Sequence, residues 1–303
     1  MVINTNPNFK RLRRSMMFLN AQKPSLIKDP YIYKCDSLML DLEDAVAVTA
    51  KDTARFSLYH ALTTIDYRGS ERVVRINGLD TDLWQEDIRC VVAGGADVIR
   101  IPKTESADMV RAVEEKVVAA EEEFDREPGS TLIMSALESC KGIMHAYEVC
   151  TASDRMIGVA LSGGDYTKDL QTHITGTGVE LMGARQQMII AARAAGVQCF
   201  DTVWTNLDDM EGFRKDVQMI HDMGFDGKSC INPRQIDVVH EIFTPTTKDI
   251  IFAEKVIKEI DDKKAKGIGV FTVDGKMIDI AFYDGAQRTI KLAKAAGVYK
   301  GDL

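Results

Sequence analysis

The chain has 303 residues and a formal net charge of −8, which argues against a surface for nucleic acids or anionic membranes. Its 45% hydrophobic and 28% charged residues are typical of a globular protein, and no apolar run approaches the roughly 18 residues of a membrane span. The six cysteines form no C-x-x-C pair, and the five histidines lack zinc-site spacing. We therefore expect free thiols and a cytoplasmic protein.

Short apolar segments alternate with helical ones over most of the chain, and each apolar run has the length of a buried parallel strand. The predicted strands lie in residues 14–20, 34–44, 71–77, 97–103, 132–138, 156–165, 199–204 and 225–231. The predicted helices between them are residues 51–62, 82–92, 106–124, 140–150, 181–195 and 210–223. This α/β alternation predicts a TIM (β/α)8 barrel over residues 1–240. An open doubly wound sheet is the alternative, disfavoured because no G-x-G-x-x-G follows the first strand.

The pattern changes after Pro245. Residues 247–264 read as a charged helix, residues 269–279 as a β-hairpin with an Asp274-Gly275 turn, and residues 286–296 as a final helix. Residues 241–303 are therefore predicted to form a C-terminal extension, which packs on the barrel or on a neighbouring subunit because it buries little core alone.

Acidic residues follow several predicted strands, where parallel barrels place their chemistry. Glu138 ends the fifth strand and Asp165 ends the sixth. Carboxylates without histidine suit Mg²⁺, with Mn²⁺ as the alternative, so these two acids are the predicted metal ligands. Taken singly, each acid could instead be a loop residue or a helix cap. Asp41, Glu43 and Asp44 follow the second strand and are predicted to orient bound waters or nearby cations, although Asp44 fits helix N-capping equally well.

Two basic residues also end strands. Arg75 alternates with Val74 and Ile76, so it points into the barrel if those two pack against helices. A buried arginine needs an anion, and we expect contact with a substrate carboxylate or an enolate rather than with a protein acid alone. Lys103 fits either a Schiff-base lysine or a structural rim lysine paired with an acid, and the second interpretation is favoured.

The motifs together resemble the citrate lyase beta subunits, within the wider Mg²⁺-dependent HpcH/HpaI aldolase family that includes malyl-CoA and citramalyl-CoA lyases. The resemblance runs nearly end to end. It rests on residues 14–18 (RSMMF), 41–46 (DLEDAV) with Lys51 and Arg55, 74–77 (VRIN), 94–103 (GGADVIRIPK), 163–167 (GGDYT), 200–203 (FDTV), 224–229 (GFDGKS), 231–235 (INPRQ) and 275–279 (GKMID).

The resemblance implies a lyase that cleaves a citryl thioester, on CoA or an acyl carrier protein, to oxaloacetate and acetyl thioester by a retro-Claisen step. It implies Mg²⁺ on Glu138 and Asp165, and a catalytic, substrate-binding Arg75. It further implies that Asp279 reaches a neighbouring subunit's site as an acid/base group. Arg14, Gly163 and Gly164 lie in the matched motifs and are predicted to bind substrate. Homo-oligomers, as trimers or hexamers, and alpha and gamma lyase subunits are the implied partners.

The motifs differ from the family pattern at Asn20, Gly164 and His173. Two alternatives therefore stay open beside citryl thioester cleavage. One is a malyl-CoA or citramalyl-CoA lyase, and the other, from a different class, is a mainly structural or binding subunit of a lyase complex.

Overall fold

Eight parallel strands close into a barrel in the computed structural model of the chain, which describes residues 11–265 and 269–301. The strands are β1 (Ser15–Asn20), β2 (Ser37–Asp41), β3 (Glu71–Arg75), β4 (Val98–Ile101), β5 (Leu132–Leu137), β6 (Met156–Leu161), β7 (Gln198–Asp201) and β8 (Gly227–Cys230). Each strand pairs with its neighbours in sequence, and β8 closes the ring by pairing with β1. The predicted TIM barrel is thereby confirmed.

Helices follow the strands and cover the barrel. They are α1 (Pro24–Ile27), α2 (Lys51–Thr64), α3 (Trp84–Gly94), α4 (Ala107–Glu123), α5 (Cys140–Met144), α6 (Ala146–Cys150), α7 (Gly163–Asp169), α8 (Met182–Ala195), α9 (Met210–Asp222) and α10 (Arg234–Phe243). The helix predicted at residues 140–150 is two short helices that meet at His145, whose ring Nδ1 lies 2.8 Å from the Glu105 carbonyl oxygen. The sequence prediction missed α10, although Ile236, Val239 and Phe243 are buried at helical spacing.

The barrel interior is apolar at mid-height and charged towards the carboxyl ends of the strands. The apolar layer consists of Met16, Met39, Val73, Val98, Leu132, Met134, Ile157, Ala160 and Phe200. Since side chains alternate along a strand, the next inward positions after Val73 and Val98 are Arg75 and Arg100. Two buried guanidinium groups therefore lie directly above the apolar core.

The structure divides into two compact units, Met1–His240 and Glu241–Leu303. The second unit contains α11 (Thr247–Ala265), an antiparallel hairpin of β9 (Val270–Val273) and β10 (Lys276–Asp279), and α12 (Ala281–Ala295). Its own small core includes Val256, Ile260, Ile278 and Ile290, which are all buried. Among the described residues, no helix is both long and apolar enough to cross a membrane.

Candidate active site

Arg75 and Asp41 form a bidentate ion pair in the candidate site. Arg75 is the last residue of β3, Asp41 is the last residue of β2, and the two are partners in the strand register. The Arg75 Nε and Nη2 atoms donate to the two carboxylate oxygens of Asp41, each at 2.7 Å. Burial raises the pKa of Asp41, but the hydrogen bonds and charge of Arg75 outweigh it and hold that pKa below its usual value. Asp41 also accepts backbone N–H groups of Glu43 and Ala45. The pair therefore fixes the orientation of the Arg75 guanidinium.

Glu43 links Arg75 to Lys103. One carboxylate oxygen of Glu43 lies 2.9 Å from Arg75 Nη1, and the other lies 2.8 Å from Lys103 Nζ. The buried Lys51 ammonium holds this turn by donating to the carbonyl oxygens of Leu42 and Glu43, both at 2.7 Å. Donation from Lys103 to Glu43, together with the charge of nearby acids, raises the pKa of Lys103 to about 12. This supports a paired rim lysine, because a Schiff-base lysine must lose its proton to attack a carbonyl.

Glu138 directly follows β5 and is only 3% exposed. Its Oε1 accepts a hydrogen bond from the Ser162 hydroxyl at 3.1 Å, whereas its buried Oε2 has no hydrogen-bond partner among the described residues. Burial raises the pKa of Glu138 to about 7, against the opposing charge of Arg100. A buried carboxylate oxygen without a partner requires an explanation, and a bound cation is a suitable one.

Asp165 lies in the first turn of α7 rather than at the end of a strand, because β6 stops at Leu161 and the helix begins at Gly163. Leu137 and Leu161 are partners in the β5–β6 register, so Glu138 and Asp165 follow neighbouring strands at the same end of the barrel. No group of three or more acids, histidines or cysteines that could hold a metal ion occurs among the described residues.

The donor set at this end fits Mg²⁺. That ion commonly takes one or two carboxylates and fills its other positions with water and substrate oxygens, which matches a pair of acids rather than a larger cluster. The unpartnered Oε2 of Glu138 is the observation that supports this fit.

The two predicted substrate-binding glycines open α7. The Gly163 N–H donates to the Thr202 hydroxyl at 2.8 Å, and a Cβ at this glycine would lie 3.0 Å from the same oxygen. Gly164 is exposed, with no atom near its Cβ position among those described. Both glycines line a cavity of about 360 Å³ beside the strand ends, together with Thr175, Gly178, Leu181, Arg185, Thr202 and Trp204, among others.

Within the barrel unit, Arg14 lies apart from the other predicted site residues. Arg14 precedes β1, and its Nε and Nη2 atoms donate to the two carboxylate oxygens of Asp36, both at 2.9 Å. Because all eight strands are parallel, Arg14 lies at the amino end of the barrel, opposite Glu138, and its charge is neutralised there. Asp279 ends β10 in the second unit, where its Oδ1 accepts the Ala281 N–H at 2.9 Å.

The sequence prediction missed one residue of the site, Arg100. Arg100 is 1% exposed, and the Phe18 ring centroid lies 5.3 Å from its Cζ atom and 5.2 Å from that of Arg75. The signal was present, because Arg100 is separated from the apolar Val98 by one residue and so shares its face of β4. The alternation that places Arg75 between Val74 and Ile76 is repeated by Arg100, which lies between two isoleucines and so is also expected to point into the barrel.

Comparison with known proteins identifies the family to which the chain is related. The model of the HpcH/HpaI aldolase/citrate lyase family matches residues 14–233. The chain is 51% identical over 288 residues to the citrate lyase subunit beta of Leuconostoc mesenteroides subsp. cremoris, and the match covers 95% of each chain. A (3S)-malyl-CoA thioesterase of Cereibacter sphaeroides is more distant, at 30% identity over 94% of this chain and 96% of that protein.

Solved structures share the fold. The CitE protein of Mycobacterium tuberculosis, in complex with magnesium, acetoacetate and coenzyme A, superposes with a TM-score of 0.75 at 24% identity, covering 95% of this chain and 99% of that one. The citrate lyase beta subunit of M. tuberculosis with oxaloacetate and magnesium gives a TM-score of 0.65 at 26% identity, covering 78% of this chain and all of the other. The chain therefore belongs to the HpcH/HpaI aldolase/citrate lyase family.

Proposed function

We propose that the chain is a Mg²⁺-dependent carbon–carbon lyase that cleaves a citryl thioester to oxaloacetate and an acetyl thioester. The observation that carries the proposal is the unpartnered Glu138 Oε2, which lies at the same end of the barrel as the locked Arg75–Asp41 pair. The 51% identity to a citrate lyase subunit beta supports citryl thioester as the substrate over malyl or citramalyl thioesters.

Glu138 and Asp165 would hold the metal. When bound, a divalent cation polarises substrate hydroxyl and keto oxygens and so favours loss of the hydroxyl proton. The chain's own residues then orient the thioester for a retro-Claisen cleavage, in which the bond between the carbinol carbon and the thioester-bearing carbon breaks and its electron pair forms the enolate of the acetyl thioester.

Arg75 stabilises that enolate. Three of its five N–H groups are used on Asp41 and Glu43, so two remain to donate to the developing oxyanion. Burial works against the charge of Arg75, but the nearby acids, Asp41 first, outweigh it and keep its pKa raised. The guanidinium is thus permanently charged and already oriented before the substrate arrives.

Asp279 of a neighbouring subunit is proposed as the proton shuttle, which accepts the hydroxyl proton and returns it to the enolate carbon. This makes a homo-oligomer, trimer or hexamer, part of the proposal. The acyl carrier is CoA or an acyl carrier protein, and alpha and gamma lyase subunits are the proposed partners. All six cysteines are free, which supports a reducing compartment, and we propose the cytoplasm.

A panel of thioesters tests the proposal. Purified protein with Mg²⁺ is expected to release oxaloacetate from citryl-CoA faster than it releases pyruvate from citramalyl-CoA or glyoxylate from malyl-CoA, and EDTA should abolish the reaction. Glu138→Gln and Asp165→Asn are each expected to lower kcat/KM by about 100-fold or more, since even changes to residues behind a metal ligand cost 10–100-fold.

The matched control is Glu123→Gln, which removes an exposed carboxylate of α4 that pairs with Arg89 on the barrel's outer face. It should cleave citryl-CoA like the unaltered chain. Cleavage that survives both site substitutions would contradict the assigned ligands. No cleavage of any thioester by the folded protein would instead favour a structural or binding subunit.

A further inference from the structure

Arg100 is a buried cation beneath the proposed active site whose donors are not satisfied. It is 1% exposed, and its Nε and Nη1 atoms have no hydrogen-bond partner within the described part of the chain. It lies one inward position above Val98 of the apolar layer. A guanidinium is costly to bury without an anion, so such a group in a folded protein requires a partner.

The neighbouring acids are bound to other groups. Both carboxylate oxygens of Asp41 accept from Arg75, and those of Glu43 pair with Arg75 and Lys103. Glu138 accepts from Ser162 through one oxygen, and its other oxygen is the proposed metal ligand. These acids contribute favourable charge at a distance but do not hydrogen-bond the Arg100 atoms named above.

Arg100 nevertheless keeps its charge at neutral pH. Burial, followed by repulsion from Arg75, lowers the pKa of Arg100 to about 10, which leaves the guanidinium protonated under physiological conditions. The Phe18 ring packs against it, with the ring centroid 5.3 Å from Cζ, and limits its contact with water. A charged donor in such a poorly solvated position binds an anion more strongly than an exposed one does.

The substrate of the proposed lyase supplies such an anion. A citryl thioester and a citramalyl thioester differ at one place only, where the first carries a carboxymethyl group and the second a methyl group. In the proposed site a cation held by Glu138 and Asp165 would offset the charge at the hydroxyl and at the carboxylate on the same carbon, and Arg75 would bind the thioester oxygen. The remaining carboxylate of the citryl group has no assigned partner.

We propose that Arg100 binds the carboxylate that a citryl thioester has and a citramalyl thioester lacks, and thereby selects the substrate. This inference rests on the proposed function and names the residue that determines its specificity. Release of oxaloacetate then breaks the same ion pair.

The test compares Arg100→Met with the unaltered chain on the two thioesters. The variant should lose about 100-fold in kcat/KM for citryl-CoA, the usual scale for truncating one partner of a buried charge pair, and change little for citramalyl-CoA. Isothermal calorimetry in the presence of Mg²⁺ should show the unaltered protein binding oxaloacetate more tightly than pyruvate, and the variant binding both alike.

Two controls separate specificity from structure. Arg100→Met should keep or raise the melting temperature, since replacing an unpaired buried charge with an apolar side chain does not weaken a core. Arg72→Met removes an arginine of the same barrel that pairs with Asp97 near the amino end of β3, and it should leave the ratio of the two substrates unchanged.

Every result of these experiments either supports or contradicts the role of Arg100 in substrate selection. Equal losses on both thioesters, or an unchanged preference for oxaloacetate over pyruvate, would overturn the assignment of Arg100. If the unaltered chain cleaves neither thioester, the proposed function fails. The calorimetric preference for oxaloacetate and its dependence on Arg100 would then still decide the role of Arg100, because they require binding and not turnover.

Discussion

A buried network of four charges supports the wall of the proposed site, and its disruption should be measurable. Lys228 on β8 and Arg185 on α8 both bond to Asp201 and Asp216. The Lys228 ammonium is fully buried and lies 2.5 Å from Asp201 and 2.7 Å from Asp216. Asp201 precedes Thr202, which holds Gly163, so this network positions the start of α7.

Lys228→Met is expected to destabilise the protein strongly. Two cations and two anions sum to zero, and removal of Lys228 leaves a net charge of −1 in a buried position. Burial raises the pKa of Asp201, but Lys228 and Arg185 hold it below its usual value, so the anion persists at neutral pH. Breaking one partner of such a network costs about 3–5 kcal/mol in free energy of unfolding.

A double-mutant cycle isolates the cause. Asp216→Asn alone leaves an excess positive charge, whereas the double variant with Lys228→Met restores neutrality and keeps the Arg185–Asp201 pair. The double variant should therefore be more stable than the sum of the single losses predicts, with a coupling of roughly 2–3 kcal/mol.

Urea denaturation followed by tryptophan fluorescence measures this, since Trp84 and Trp204 both lie in the barrel unit. The control Lys215→Met removes an exposed ammonium of α9 paired with Glu211 and should leave the unfolding midpoint unchanged. Additive losses in the cycle, or a loss below about 1 kcal/mol for Lys228→Met, would refute the reasoning.

Two further predictions concern single titratable groups. Burial lowers the pKa of His240, and the charge of Asp36 opposes this shift while that of Arg14 adds to it. The neutral imidazole therefore contributes fully to stability above pH 6.5, and this contribution is lost as the pH falls through the lowered pKa of His240. The melting temperature should drop from about pH 8 to pH 5.5, and less so in His240→Gln; an equal drop in both would contradict this. Lys103 should form no Schiff base, because Glu43 raises its pKa to about 12. Borohydride added with oxaloacetate should leave the mass of the chain unchanged. An adduct at Lys103 would contradict this prediction and support Schiff-base chemistry.

Local residue patterns were sufficient to predict the barrel. Runs such as residues 132–137 are apolar except for Ser135, which is typical of a strand buried on both faces, and their regular alternation with helical segments limited the architecture. The prediction was wrong where a local residue pattern did not match the secondary structure that the chain forms. Asp165 was assigned to a strand end because it follows an apolar run, yet the Gly163-Gly164 pair begins a helix there.

Glu138 and Arg75 could be selected from sequence because the end of a parallel strand is a position that can be recognised from its own residues. The partners of these side chains could not be predicted from sequence, since they depend on contacts between residues far apart in the chain. Arg14 and Arg100 illustrate this, since both lie in the family motifs. Arg14 donates to Asp36, whereas Arg100 Nε and Nη1 have no hydrogen-bond partner among the described residues. Closure of the ring placed Arg14 at the amino end and Arg100 beneath the site. The sequence by itself thus determined the barrel fold, because local patterns define its strands and helices. The tertiary structure decided which buried arginine atoms lack a partner among the described residues, because partners come from distant parts of the chain.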